Sequence, residues 1–262
     1  MPEASWSQPI TQVAPNMIAV RGYRIEDLMG RVPFSHVVYL VLKGELPTPA
    51  QGRVMDALLV SSVDHGATPP SALAARTVAS GGAPLTTAVA AGIMTLNRHH
   101  GGAIEGCMRV LLEGVARQRE ANLSAADVAR AIVAEARAAG QRLPGYGHRL
   151  HTADPRTARL LTLVAEEGLA GAYVALAQAI AAAIAEASGK ALPLNVDGAI
   201  AAVLCELDFP PEIGNGFFAI ARTVGLTAHV FDEITSQRPM RPIEPTSGYN
   251  GPELRPLERR DP

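Results

Sequence analysis

Residues 143–156 read Leu-Pro-Gly-Tyr-Gly-His-Arg-Leu-His-Thr-Ala-Asp-Pro-Arg, and the rest of the chain is organised around them. The first half cannot be regular, because Pro144, Gly145 and Gly147 break a helix and the glycines let the backbone come close to a ligand. The second half starts a helix, with Asp154 as the N-cap and Pro155 at the first helical position. Between them a loop presents His148, while Arg149 and Arg156 add fixed positive charge. An imidazole beside guanidinium groups at a helix start suits a small polyanionic acid. Taken alone, the same stretch also fits a glycine turn with a surface histidine.

On either side of this stretch the apolar spacing is helical. A short helix is expected from Ile25 and a second over residues 34–43, ended by Gly44. Thr48-Pro49 starts a third that runs to about Asp64, which puts His65 at a C-terminus that Gly66 can cap in the left-handed conformation. Residues 71–80 and 85–96 form two alanine-rich helices, and Asn97 to Ala103 interrupts the pattern. Helices follow over about 104–115, from the Ser124 cap to Ala139, over 155–168 and over 170–188. Asn195-Val196-Asp197-Gly198 opens the next, which ends near Leu207, and Pro211 starts a long one to about Ser236. Residues 1–24 are expected to be irregular. With no run of alternating β-branched residues, the class is all-α.

Of the 262 residues, 48% are hydrophobic and 18% charged, so the chain is globular. A net charge of −2 gives no reason to expect nucleic acid, and no basic run suggests a membrane surface. Cys107 and Cys205 lie in apolar helices without metal-ligand spacing and read as core residues of a reducing compartment. The N-terminus lacks a basic, then apolar, signal pattern, and residues 171–189 contain Gln178 and Glu186, so a buried or interface helix is expected there. The expected location is cytoplasmic.

Four polar breaks stand out: His65-Gly66, His100-Gly101-Gly102, His148 and Asp197. Each falls at a helix end, where side chains can converge on a cleft. No histidine pair has the i, i+4 spacing of a zinc site, so metal is not expected. Acid–base work is the alternative: a carboxylate can take a carbon-bound proton beside a thioester, one histidine can stabilise the enolate, and another can serve the partner oxygen. His36 and His229 read as helix-face residues, and Arg149 and His151 as solvated or near a ligand's phosphates.

The 143–156 stretch resembles the active-site loop of the citrate synthase superfamily. Arg21-Gly22-Tyr23-Arg24-Ile25-Glu26-Asp27-Leu28 and Leu42-Lys43-Gly44-Glu45-Leu46-Pro47-Thr48 resemble that family's N-terminal helices. His100-Gly101-Gly102-Ala103, Asn195-Val196-Asp197 and residues 221–229 resemble three later motifs, in the family's order. The resemblance implies Asp197 as the base toward the acetyl-CoA methyl group, His100 as the enolate stabiliser and His148 as the acid toward the oxaloacetate carbonyl. His65, Arg156 and Arg222 would hold the dicarboxylate, with Arg241 as a contribution from a partner subunit. Residues Leu143, Pro144, Gly145, Tyr146 and Gly147 would lie against CoA. His99 competes with His100, and the two following glycines favour His100. Between His148 and Arg156 the chain is one residue shorter than the family pattern.

The short chain, with Asp64-His65-Gly66 before Ala67-Thr68-Pro69-Pro70, looks most like stand-alone citryl-CoA lyases and the lyase module of ATP-citrate lyase. That likeness implies cleavage of citryl-CoA to acetyl-CoA and oxaloacetate; the alternatives are a condensing citrate or 2-methylcitrate synthase and a non-catalytic homologue. It implies no permanently bound cofactor, with the CoA thioester and the di- or tricarboxylate as substrates. A large domain of residues 1–103 plus 209–262 would face a small one of 104–208 across the active site, closing to exclude water. Low-charge, alanine-rich helices suggest a homodimer.

Overall fold

The structure, a computed structural model, describes residues 7–97, 100–147, 154–189 and 192–241 together with Gly251 and Glu253. It is helical, as the periodicity implies, with one exception at the start. Strands β1 (Thr11–Ala14), β2 (Met17–Val20) and β3 (Tyr23–Arg24) form a small antiparallel sheet in that order, with Thr11 opposite Val20 and Val13 opposite Ile18. This corrects the irregular N-terminus expected from the sequence. Its turns are two residues long, with Asn16, Arg21 and Gly22 at positive φ (58°, 48° and 86°) as tight hairpins require. Arg21 tolerates that backbone while its Nε and Nη2 donate to the Val41 carbonyl (3.0 and 2.8 Å). The sheet is thereby tied to the end of the second helix.

Helices α1 (Ile25–Leu28), α2 (Phe34–Lys43) and α3 (Pro49–Ser61) follow. Gly44 ends α2 at φ 100°, and Thr48 opens α3 with a capping box to Gln51. Helix α3 stops at Ser61, three residues before the expected end, so Gly66 (φ 79°) closes a separate turn and not the helix. In that turn the Gly66 amide donates to Asp64 Oδ2 (3.0 Å).

Helices α4 (Pro70–Ser80) and α5 (Leu85–Met94) pack closely because their facing residues are small. A Cβ on Gly92 would lie 2.9 Å from the Ser71 carbonyl. With α11 (Gly214–Ser236) they enclose a minor core of Ala72, Ala75, Ala79, Ala88, Leu226 and Val230. The major core is built by α2, α3, α6 (Ala103–Ala121), α7 (Ala125–Ala138), α8 (Pro155–Glu166), α9 (Ala172–Ser188) and α10 (Val196–Glu206). Helix α6 outlasts the expected 115 because nothing breaks it before Asn122 takes the left-handed cap (φ 50°). A 3-10 turn, Pro211–Ile213, leads into α11. Alanine-rich α9 buries Leu176, Ala177 and Ile180 in this core, and no helix among the described residues is long and apolar enough to cross a membrane.

Helix α10 is the axis of the major core. Residues 199–204 are completely closed to solvent, apolar on every side of the helix. Its far end is fixed by Glu206, whose Oε1 accepts from the amides of Gly171, Tyr173 and Val174 (2.9–3.0 Å) at the start of α9. Its near end, Asn195-Val196-Asp197, is the part that reaches a cavity.

Candidate active site

Asp197 stands in the first turn of α10, so a helix buried on every side carries it. The residue is half-buried. Burial pushes its carboxyl above the usual carboxylate range; Arg156 and Arg222 pull it back, Asp154 adds to the push, and the balance is upward. A carboxyl held this way can take up and release a proton at carbon more readily than a solvated one.

His100 sits at the start of α6 behind a local bridge in which Asn97 and His100 exchange backbone hydrogen bonds of 2.7 Å. Gly101 must be glycine: its φ is 72° and a Cβ would meet Phe218 at 2.8 Å. The ring packs edge-on against Phe218 (centroids 6.0 Å apart), and its Nε2 lies 2.8 Å from Ser71 Oγ. Burial holds the imidazole below its ordinary pKa, and the nearby Arg222 adds to this. It is therefore neutral at neutral pH. Where the Ser71 hydroxyl donates to Nε2, the proton of the neutral ring sits on Nδ1, which then has a hydrogen bond to offer.

The two guanidinium groups differ. Arg156, at the start of α8, is gripped by Asp154, with Nε to Oδ1 at 3.0 Å and Nη2 to Oδ2 at 2.7 Å. Asp154 also caps the helix through the Arg156 amide (3.0 Å). The cap was legible from the sequence; the fork onto the neighbouring arginine was not. Arg156 Nη1 also reaches the Ser61 carbonyl at 3.4 Å. Arg222, only 3% exposed on α11, donates Nε to the Ser62 carbonyl (3.1 Å) and lies 4.6 Å from the centre of the Phe218 ring. Among the described residues no carboxylate forms an ion pair with it. Burial weakens its hold on the proton, Asp64 opposes this and Arg156 reinforces it, yet a guanidinium stays charged at neutral pH.

His65, His100, Arg156, Asp197 and Arg222 line one cavity of about 500 Å³, joined by Gly147 of the glycine loop. The sequence singled out these five side chains, though not Phe218, which lines the cavity with them. A second, more apolar cavity of about 560 Å³ shares Gly147 and is lined by Leu143, Tyr146, Leu192, Arg137 and Arg142. Tyr146 hydrogen-bonds the Ala177 carbonyl (3.1 Å), and burial raises its phenol pKa so that it remains protonated. Pro144 and Gly145 form the back of this loop; a Cβ on Gly145 (φ 87°) would lie 2.9 Å from Cys107 Sγ.

Two expected residues remain. His148 falls outside the described residues. Arg241 is not in the cavity of its own chain: its Nε donates to Glu233 Oε1 (2.8 Å) and its amide to Ser80 Oγ (2.7 Å). The sequence reading missed Ser71 and Phe218, since a serine in an alanine helix and a phenylalanine in an apolar one carry no signal until α4, α6 and α11 meet. It also gave His229 no partner, whereas its Nε2 lies 3.0 Å from Asp64 Oδ1 beside His65. Among the described residues no group of three His, Cys, Asp or Glu could hold a metal ion.

A predominantly helical fold with a cavity of titratable side chains at helix ends defines the class, and sequence comparison gives the family. Residues 48–243 match the family described as "Citrate synthase, C-terminal domain", and the chain belongs to it. "Putative citrate synthase 2" of Mycobacterium tuberculosis (strain CDC 1551 / Oshkosh) is 30% identical over 220 residues, 82% of this chain and 56% of the relative. The chain thus spans about half the length of the curated relatives it matches. Among solved structures, citryl-CoA lyase from Hydrogenobacter thermophilus superposes with a TM-score of 0.88 at 42% identity, covering 97% of this chain and 98% of that one. Citrate synthase from Thermotoga maritima MSB8, 18% identical, shares the fold with a TM-score of 0.58 over 99% of this chain and 98% of that one.

Proposed function

We propose that the protein cleaves citryl-CoA to acetyl-CoA and oxaloacetate by acid–base chemistry through an enolate. The observation that carries this reading is the company kept in one cavity of about 500 Å³: a carboxyl pushed above its usual range, a neutral imidazole, and a buried arginine that forms no ion pair with a carboxylate among the described residues. Arg222 is suited to a substrate carboxylate, which would supply its missing counter-charge. Arg156, half-neutralised by Asp154, and His65 would hold the second carboxylate. In the cleavage direction His148 takes the proton of the citryl hydroxyl as the carbon–carbon bond breaks. His100 donates a hydrogen bond to the thioester enolate, and protonated Asp197 returns a proton to carbon. No metal or permanently bound cofactor is needed for these steps.

The likeness to a citryl-CoA lyase along nearly the whole of both chains favours cleavage over condensation. The CoA portion would run from the reaction cavity past the loop 143–147 into the apolar cavity, where Arg137 and Arg142 can meet phosphates. Residues 1–103 with 209–262 would form the large domain and 104–208 the small one. Arg156 on the Ser61 carbonyl and Arg53 on Glu167 (Nε to Oε1, 2.6 Å) would then be contacts across the closing cleft. Homodimerisation is supported by apolar side chains left open on the α4–α5–α11 layer: Met94 is 82% exposed, Val224 61% and Phe231 60%. Arg241, at the edge of that layer, would reach toward the partner's substrate. Two buried free thiols fit a cytoplasmic setting.

Mixing the protein with citryl-CoA, and separately with acetyl-CoA plus oxaloacetate, tests the reading. Acetyl-CoA and oxaloacetate from the first mixture, without free CoA, are expected. Free CoA from the second would make it a synthase, and silence in both would make it a non-catalytic homologue. Light scattering after size exclusion is expected to give a dimer; a monomer at micromolar concentration would remove that part.

A further inference from the structure

Residues 145–147 and the helix turn that carries Asp197 touch backbone to backbone, with no room for a side chain between Gly145 and Gly198. A Cβ on Gly145 would come within 2.8 Å of Gly198 Cα, and one on Gly198 within 2.5 Å of the Gly145 carbonyl oxygen. Backbone bonds stitch the two segments: the Asn195 amide donates to the Gly145 carbonyl (3.0 Å) and the Gly147 amide to the Pro193 carbonyl (2.8 Å). Tyr146 and Leu194 pair between them. One side chain works on both segments at once. Asn195 Oδ1 accepts from the Gly198 amide (3.1 Å), capping α10, while Nδ2 donates to the Gly147 carbonyl (2.8 Å).

We propose that Asn195 is a positioning residue whose amide fork sets the spacing between Asp197 and the peptide unit leading into position 148. The physical requirement is narrow. The cap needs an acceptor, which serine, threonine, aspartate and asparagine all provide. The Gly147 carbonyl needs a donor at the end of a planar side chain of this length, and of those residues only asparagine offers both. Aspartate keeps the cap and the shape but turns an oxygen toward an oxygen. Serine keeps the cap and is too short to reach Gly147. Because that carbonyl belongs to the peptide between residues 147 and 148, its hydrogen bond holds the Gly147 end of that peptide. Gly147 and Asn195 both line the reaction cavity, so the fork operates within the site.

This proposal rests on the functional reading above, in which Asp197 serves carbon and residue 148 serves oxygen, and it predicts that the two half-reactions separate. Exchange of the acetyl-CoA methyl protons with deuterated water, with malate filling the dicarboxylate site, needs Asp197 and His100. Cleavage of citryl-CoA also needs residue 148. In Asn195→Ser we expect methyl exchange within about threefold of the parent and cleavage kcat lowered about 100-fold, the scale of a one-ångström misplacement. Its Tm should move by no more than about 2 °C, because the cap survives. Asn195→Asp should likewise keep its Tm and lose cleavage. Exchange and cleavage falling together, or both staying near the parent's, overturns the proposal, as does a Tm loss in both variants. Asp197→Asn, run alongside, checks the reading itself: if it still cleaves citryl-CoA, the functional assignment falls and takes this proposal with it.

Discussion

Glu233 and Arg222 lie on the same helix and are both almost closed to water, yet their surroundings answer them differently. The Glu233 carboxylate, with no exposed side-chain surface, takes Arg76 Nε on one oxygen (2.7 Å) and Arg241 Nε on the other (2.8 Å). Burial pushes its pKa up, but the two arginines outweigh this and hold it below the usual carboxylate range. Arg222 is given a carbonyl and an aromatic face, and burial has the last word on its proton affinity. Asp197 is in the same position with the opposite charge. A charge whose partners are complete belongs to the scaffold. A charge left short of partners among the described residues, inside a cavity, can take one that arrives.

Four experiments can break or sharpen this contrast. Asp197→Asn is expected to lower turnover about 1,000-fold, the scale of a lost general acid–base group. It should also raise Tm. The folded state binds this proton more tightly than the unfolded one, so the ionised carboxyl opposes folding above the unfolded pKa of about 4, and the amide removes that penalty. A fall in Tm would show that Asp197 is compensated after all. Arg222→Gln should lower kcat/KM by about 100-fold or more, mostly through substrate binding, as for a buried ion pair lost with its ligand. Oxaloacetate at about 100 times its Kd should stabilise the parent by about 2.7 kcal/mol and the variant hardly at all.

Glu233→Gln should have the opposite profile. It should lose about 3 kcal/mol of stability, the lower end for a broken buried pair because Arg241 remains a third exposed. Its loss of kcat/KM should be at least about tenfold smaller than that of Arg222→Gln. The folded-state pKa of Glu233 is depressed, so its stabilisation is complete above the unfolded value of about 4.3 and drains away as pH falls through the folded value. Parent and variant denaturation midpoints should therefore converge in acid; a constant gap would assign the effect to packing. Ser71→Ala should be the mildest, lowering kcat about tenfold at unchanged substrate affinity, since one neutral hydrogen bond orients His100.

Most of the helical frame was legible because caps and breakers mark it: Thr48 before Pro49, Asp154 before Pro155, Gly44 after Lys43. The N-terminal sheet was not, since strands of four, four and two residues leave no periodicity and the only signs are the turns at Pro15-Asn16 and Arg21-Gly22. The cavity residues His65, His100, Arg156, Asp197 and Arg222 could be named because motif order carries identity. What surrounds them could not. Ser71 and Phe218 have ordinary local contexts, and the state of each charge depends on neighbours from distant segments. Arg241 makes the same point from the other side: its motif suggests a substrate ligand, while in its own chain it completes the shell of Glu233.

Helix α10 is pinned at one end by the loop 145–147 and at the other by Glu206 on the start of α9, with an apolar sleeve in between. A carboxyl mounted on such an axle has little room to drift as the temperature climbs. Amide hydrogens along α10 should exchange only when the whole molecule opens. Enzymatic output should then hold up to the melting transition and vanish with it, without the early fade seen where a site rests on a softer part than its frame.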